Sequence, residues 1–157
     1  MNISLKQFLE TGRLGDLRLW DTVERVRSLL GQPEDAGGVS RKHPWPSIYV
    51  YGNVEVFFSR GASPLCRGIA WGVGRSSFRL RGVDTIEDWG LTPGTRWAAV
   101  EGYLERAGLT YDSLQPEALL LRSGVFIKFD EDGVLDSVSI WEGTMINAAR
   151  WMSRQGL

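Results

Sequence analysis

Tyr49-Val50-Tyr51-Gly52-Asn53-Val54-Glu55-Val56-Phe57-Phe58 is the stretch on which the fold turns. β-Branched and aromatic residues fill both arms, and Gly52-Asn53 between them has the permissive backbone of a tight hairpin turn. Strands are expected over 48–51 and 53–59, with further strands over 66–72 and 77–82. Upstream, Leu19 to Gly31 carries a helical pattern. Asp21 or Thr22 can cap its first turn, and Val23, Val26, Leu29 and Leu30 fall on one face. Gly31 supplies the stop, and Pro33 prevents continuation. Residues 34–47, with Gly37-Gly38 and prolines at 44 and 46, read as an irregular connection.

The same order recurs about 70 residues downstream. Leu91-Thr92-Pro93-Gly94-Thr95 opens a helix to about Ala107, carrying Val100, Tyr103 and Leu104 and closed by Gly108. Leu119–Arg122 and Val125–Asp130 form a second hairpin around Ser123-Gly124, Asp130 to Gly133 is a turn, and Val134–Trp141 is the next strand. Trp71 and Trp141 take matching places in the two copies. Leu5, Phe8 and Leu9 mark a short amphipathic helix at the start, and Thr144–Arg154 reads as a terminal helix with Met145, Ala148, Ala149 and Met152. The expected fold is therefore α+β: one domain over 1–157, made of tandem helix-plus-antiparallel-sheet repeats at 14–83 and 84–142. These repeats would form one continuous sheet with helices on one face.

A chain of 157 residues buries roughly 70% of the surface of its unfolded form, enough for a single core. No run approaches the ~18 apolar residues of a membrane span, and the N-terminus lacks the basic start and apolar core of a signal peptide. The lone Cys66 excludes an internal disulfide and fits a reducing compartment, so a cytoplasmic location is expected. The net charge of −1 conceals an asymmetry: residues 1–83 carry 12 basic and 7 acidic side chains, residues 84–142 carry 4 and 12. Between Glu55 and Asp84 there is no acid but five arginines, at 60, 67, 75, 79 and 81. Two solvated surfaces of opposite sign account for this; so does a polarised molecule that orients a charged partner or forms a head-to-tail homo-oligomer.

The residues Val26-Arg27-Ser28-Leu29-Leu30-Gly31-Gln32-Pro33 and Tyr49 to Phe58 carry a resemblance. They are similar to the pattern V-x-x-L-L-G-x-P…W/Y-x-Y-G-x-V-E-x-x-F of a bacterial family of small cytoplasmic proteins. In architecture the chain resembles the tandem-repeat fold of the beta-lactamase inhibitor protein and the related outer-membrane assembly lipoprotein domain. The resemblance covers most of residues 14–145, and its motifs are structural glycines and apolar positions. It implies a binding sheet and, for an intracellular version, an immunity protein that neutralises a bacterial toxin. The chain departs from those relatives in having no lipobox, export signal or disulfide pair.

Chemistry-bearing motifs are few. His43 is the sole histidine, and one His with one Cys does not furnish the three or four ligands of a usual metal site. A Cys66–His43 nucleophilic pair requires the fold to join loop and strand, with Arg67 lowering the thiol pKa; the alternative is a buried thiol that acts as a small hydrophobe. Gly72-Val73-Gly74 precedes an alternating strand pattern rather than a helix, so it is a hairpin loop and not a phosphate cradle. Asp130 to Gly133 lacks the spacing of a calcium loop. No catalytic set, metal or cofactor is expected.

Aromatic residues make up 11% of the chain, and strand periodicity sorts them. Val54, Val56, Phe58, Val125, Ile127 and Phe129 are assigned to the core. If parity is kept through the Gly52 turn, Tyr49, Tyr51, Phe57, Trp71, Phe126 and Trp141 share the opposite face with Glu55, Arg79, Arg122 and Lys128. Tyr, Trp and Arg dominate interface hot spots, so this face is the expected binding site for a protein partner. A second layer formed by the terminal segments would instead bury some of these rings. Two alternatives stand beside it. One is single-stranded nucleic-acid binding through arginines 60–81, which the acidic balance disfavours; the other is a small-ligand carrier or enzyme using the sheet cavity.

Overall fold

The computed structural model describes residues 2–73, 85–87, 89–114 and 117–144. In chain order its elements are β1 (Asn2–Ser4), α1 (Leu5–Thr11), α2 (Val23–Leu30), β2 (Asp35–Gly37), β3 (Ile48–Tyr51), β4 (Val54–Phe58) and β5 (Cys66–Gly72). There follow β6 (Thr85–Glu87), α3 (Trp97–Arg106), β7 (Tyr111–Leu114), β8 (Ala118–Leu121), β9 (Val125–Phe129) and β10 (Leu135–Trp141). The fold is α+β. Eight strands form one antiparallel sheet in the order β2-β3-β4-β5-β10-β9-β8-β7, and β1 pairs in parallel with β6 in a separate two-stranded ribbon.

α1 and α2 begin at side-chain caps, Ser4 and Thr22, whereas α3 begins after Arg96, whose side chain makes no capping hydrogen bond. The Thr22 hydroxyl accepts the Arg25 N–H at 3.2 Å, and Gly31 ends α2 at φ 80°, a backbone angle that favours glycine. Val23, Val26 and Leu30 of α2 are buried, each contributing about 1.5–3 kcal/mol of hydrophobic stabilisation. α3 buries Val100 and Leu104, while α1 buries Leu5, Phe8 and Leu9. All three helices touch the same side of the sheet. The Tyr51 hydroxyl donates to the Gly31 carbonyl after α2 at 3.2 Å. Trp97 of α3 meets Phe129 at 4.4 Å between ring centres. The Ser123 hydroxyl donates to the Leu9 carbonyl of α1 at 2.6 Å.

Two apolar rows cross the sheet beneath these helices. Tyr51, Val54, Trp71, Val138, Ile127 and Leu119 are cross-strand neighbours in one; Tyr49, Val56, Ile69, Ile140 and Val125 are neighbours in the other. Every one of these side chains is buried.

The central strands pair with a register that is symmetric about Ala70 and Ser139: Gly68 faces Trp141 at one end and Gly72 faces Ser137 at the other. Irregularities fall between Phe57 and Phe58 where β4 meets β5, and between Leu135 and Ser137 where β10 meets β9. The residues that precede α2 and α3 each form an isolated bridge. Thr22 bridges Leu65 just before β5, and Arg96 bridges Val134 just before β10.

The structure adds elements that the sequence reading left out. The 34–47 connection contains edge strand β2, and β7 forms the other edge of the sheet. The strand expected over 77–82, and the terminal helix expected over 144–154 except its first residue, lie outside the described residues.

Candidate functional site

The face of the sheet opposite the helices is set by the strand register. One row runs across all eight strands: Asp35, Val50, Glu55, Ala70, Ser139, Phe126, Leu120 and Asp112. Beside it lies the shorter row Ile48, Phe57, Gly68 and Trp141. Lys128 occupies a third row, opposite Ser137 and Ala118. At the centre, β5 and β10 contribute Gly68, Ala70, Gly72, Ser137 and Ser139 to this face, together with the large side chain of Trp141. Phe57, Phe126 and Trp141 are half-buried there, and Glu55 and Lys128 are exposed. Ala118, Leu120 and Ser139 on this face are buried.

Trp141 and Phe57 meet at 4.6 Å between ring centres, tilted by 44°. Trp141 lies over Gly68, where any Cβ would fall within the contact distance of the indole. At the end of β10, the Thr144 hydroxyl accepts the Trp141 N–H and donates to the Trp141 carbonyl, both at 2.8 Å. Arg67, next to Gly68, pairs with Glu142, next to Trp141. Indole position, backbone and flanking charges are thus all fixed around one cross-strand pair.

Three of the residues expected on this face belong to the core instead. Tyr49, Tyr51 and Trp71 are 6%, 1% and 3% exposed. For the tyrosines the cause is the hairpin turn. Tyr51 pairs directly with Val54, so the two-residue Gly52-Asn53 turn puts positions 51 and 54, one odd and one even, on the same face. Tyr51 and Tyr49 follow Val54 and Val56 inward. The second hairpin pairs Leu119 with Ile127 and Leu120 with Phe126, and it keeps the expected parity. Trp71 is opposite Val54 and Val138, whereas Trp141 is opposite Gly68, so the two tryptophans lie on opposite faces rather than in matching places. Arg122 stands in the turn after β8, where its backbone N–H donates to the Thr110 carbonyl at 3.2 Å, and it lines a cleft with Glu10 of α1. Arg79 lies outside the described residues. Glu55, Phe57, Phe126, Lys128 and Trp141 are the expected residues that share the second face.

The proposed nucleophile pair is not brought together. Cys66 is buried in β5, its thiol donating to the Gly68 carbonyl at 3.6 Å. Burial pushes the thiol up to about 12, with Asp21 adding to the rise and the Gly68 contact opposing it. His43 sits in the exposed β2–β3 connection. Tyr51 is also raised, by burial first and by neighbouring Tyr49 second. Among the described residues, no cluster of His, Cys, Asp and Glu is arranged to hold a metal ion, and no helix is long and apolar enough to cross a membrane.

Two features were not anticipated. Trp20 is 48% exposed and adopts φ 69°, a left-handed conformation that is strained for a bulky residue, beside a cleft lined by Arg13 and Arg18. Its backbone N–H donates to the Cys66 carbonyl at 2.7 Å, which holds the conformation in place. The second is a cavity of about 390 Å³ between the β2–β3 connection and the β4–β5 turn, lined by Lys42, His43, Trp45 and Arg60 among others. The acid-free run after Glu55 was the sequence signal for Arg60; nothing in the sequence pattern joined it to residues 42–45. The chain matches no protein-family model, no curated protein and no solved structure.

Proposed function

We propose that the chain is a non-enzymatic protein-binding module that engages its partner through the sheet face away from the helices. The observation that carries this reading is the half-buried Phe57–Trp141 contact over Gly68, with exposed Glu55 in the adjoining row of the same face and exposed Lys128 in the row beyond it. Half-buried aromatics at fixed positions offer contact area at low entropic cost, and a polar rim around them supplies orientation. Phe126 extends the apolar surface across β9. The occupant is a folded protein partner, in the manner of an immunity or inhibitor protein acting on a toxin in a reducing cytoplasm.

The module is read as a duplication of one helix-plus-antiparallel-sheet unit. Support comes from the register symmetric about Ala70 and Ser139, the paired irregularities and the paired bridges before β5 and β10. In this reading the halves share their core pattern and differ on the second face, where Gly72 stands in one half at the place Trp141 takes in the other.

The test compares proteins captured by the tagged chain with those captured by a Glu55→Lys, Lys128→Glu variant. That exchange preserves net charge and alters exposed side chains only. A partner held by the parent chain and lost by the folded variant supports the reading; identical capture by both removes it.

A further inference from the structure

The cavity beside the β4–β5 turn has a composition that the sheet-face reading does not use. We propose that it binds a small organic anion in which a planar ring is joined to a phosphate or similarly charged head, of the size of a mononucleotide. Three observations converge. Lys42, His43 and Arg60 line the cavity with no carboxylate among its lining residues, and neither Lys42 nor Arg60 is held in an ion pair among the described residues. Trp45 lines the same space and is 41% exposed, an indole face available for stacking beside cations. The volume of about 390 Å³ is within the range of small-molecule sites, roughly 300–1,000 Å³.

The walls are built before any ligand arrives. Ser40 and His43 exchange backbone hydrogen bonds at 2.8 and 3.0 Å, which closes the loop that carries Lys42. The Ser47 N–H donates to the Gly37 carbonyl at 3.0 Å, and the Phe58 N–H donates to the Ser47 carbonyl at 2.9 Å, joining loop to sheet. On the opposite wall the Ser59 N–H donates to the Leu65 carbonyl at 2.9 Å, and the Leu65 N–H donates to the Ser59 hydroxyl at 3.0 Å. This fixes the turn from which Arg60 projects. Uncompensated cations on preformed backbone favour an anion, because its charge replaces water without a competing carboxylate and little loop entropy is lost. Arg60 provides a planar fork suited to phosphate, while Lys42 provides a mobile point charge. The indole adds selectivity for a ring over a bare inorganic ion.

Calorimetric titration of the full chain with adenosine monophosphate and with phenyl phosphate tests the proposal, with adenosine, inorganic phosphate and a single-stranded oligonucleotide as comparison arms. The two ring-bearing phosphates are expected to bind, more weakly as salt rises, and both should exceed adenosine and inorganic phosphate. Arg60→Ala and Trp45→Leu, both at exposed positions, should each weaken binding by about tenfold, the effect of losing one well-placed contact. No binding of either ring-bearing phosphate overturns the proposal. So does equal binding of inorganic phosphate, or affinity untouched by both substitutions. Oligonucleotide binding in the absence of mononucleotide binding also overturns it, and assigns the patch to nucleic acid. Failure here leaves the sheet-face reading intact, because that reading uses none of these residues.

Discussion

Trp141 lies over Gly68, its direct partner on the neighbouring strand, and the space a side chain would occupy is filled by the indole. The contact decides which substitutions the centre of the sheet tolerates. Gly68→Ala must displace the ring and should lower stability by about 1–3 kcal/mol, the usual cost of overpacking. Gly72→Ala, at the other end of the same strand pairing, meets only the Asn53 carbonyl at 3.9 Å and should change stability by less than about 1 kcal/mol. Denaturant unfolding of both variants checks the pair. Equal effects would mean that the ring does not depend on glycine at 68.

The tryptophans at 71 and 141 should behave differently although both are central. Trp71→Ala empties a fully packed core site and is expected to cost about 3–5 kcal/mol. Trp141→Ala, half-buried on the other face, should cost less, and the chain should remain folded. Thermal denaturation with far-ultraviolet dichroism distinguishes the two. Equal losses would place both rings in one core.

Much of this fold was legible because local signals agreed with one another. The cap at Asp21 or Thr22, the Gly31 stop and the Val23–Val26–Leu29–Leu30 face all marked α2, and apolar alternation marked β4, β5, β9 and β10. The site was harder to read, because a face assignment depends on turn length rather than composition. The two-residue turn at Gly52-Asn53 exchanged the faces of Tyr49 and Tyr51, while the second hairpin kept its parity. β2 and β7 are three and four residues long at the sheet edges, and their polar sequences carry no strong alternation. The cavity at Trp45 and Arg60 joins segments that only tertiary structure brings together.

Cys66 makes stability depend on alkaline pH. Its folded-state value of about 12 exceeds the ordinary 9.0, so between those values the unfolded chain releases a proton that the folded chain keeps. Stability is therefore fully present below about pH 9 and falls as pH rises towards 12, at up to about 1.4 kcal/mol per pH unit from this group. Cys66→Ala should be less stable at neutral pH but show a shallower decline over that interval. Unfolding measured across the alkaline range gives both slopes; identical slopes would show that the thiol titrates normally. The native thiol should also resist alkylation until the protein unfolds.

Trp20 provides a test of stored backbone strain. Glycine accepts φ 69° without penalty, whereas alanine does not. Trp20→Gly should accordingly be more stable than Trp20→Ala by about 1 kcal/mol. A more stable alanine variant would show that position 20 is not held in the left-handed region.

The face carrying Phe57 and Trp141 is proposed to recognise a protein. The most direct measurement is quantitative mass spectrometry of proteins retained by the tagged chain, beside the Glu55→Lys, Lys128→Glu variant and with folding of both verified by dichroism. One protein should be retained by the parent chain and depleted about tenfold by the charge exchange, a change of about 1.4 kcal/mol in binding. Indistinguishable sets from the two folded proteins, including two empty ones, would contradict the proposed recognition.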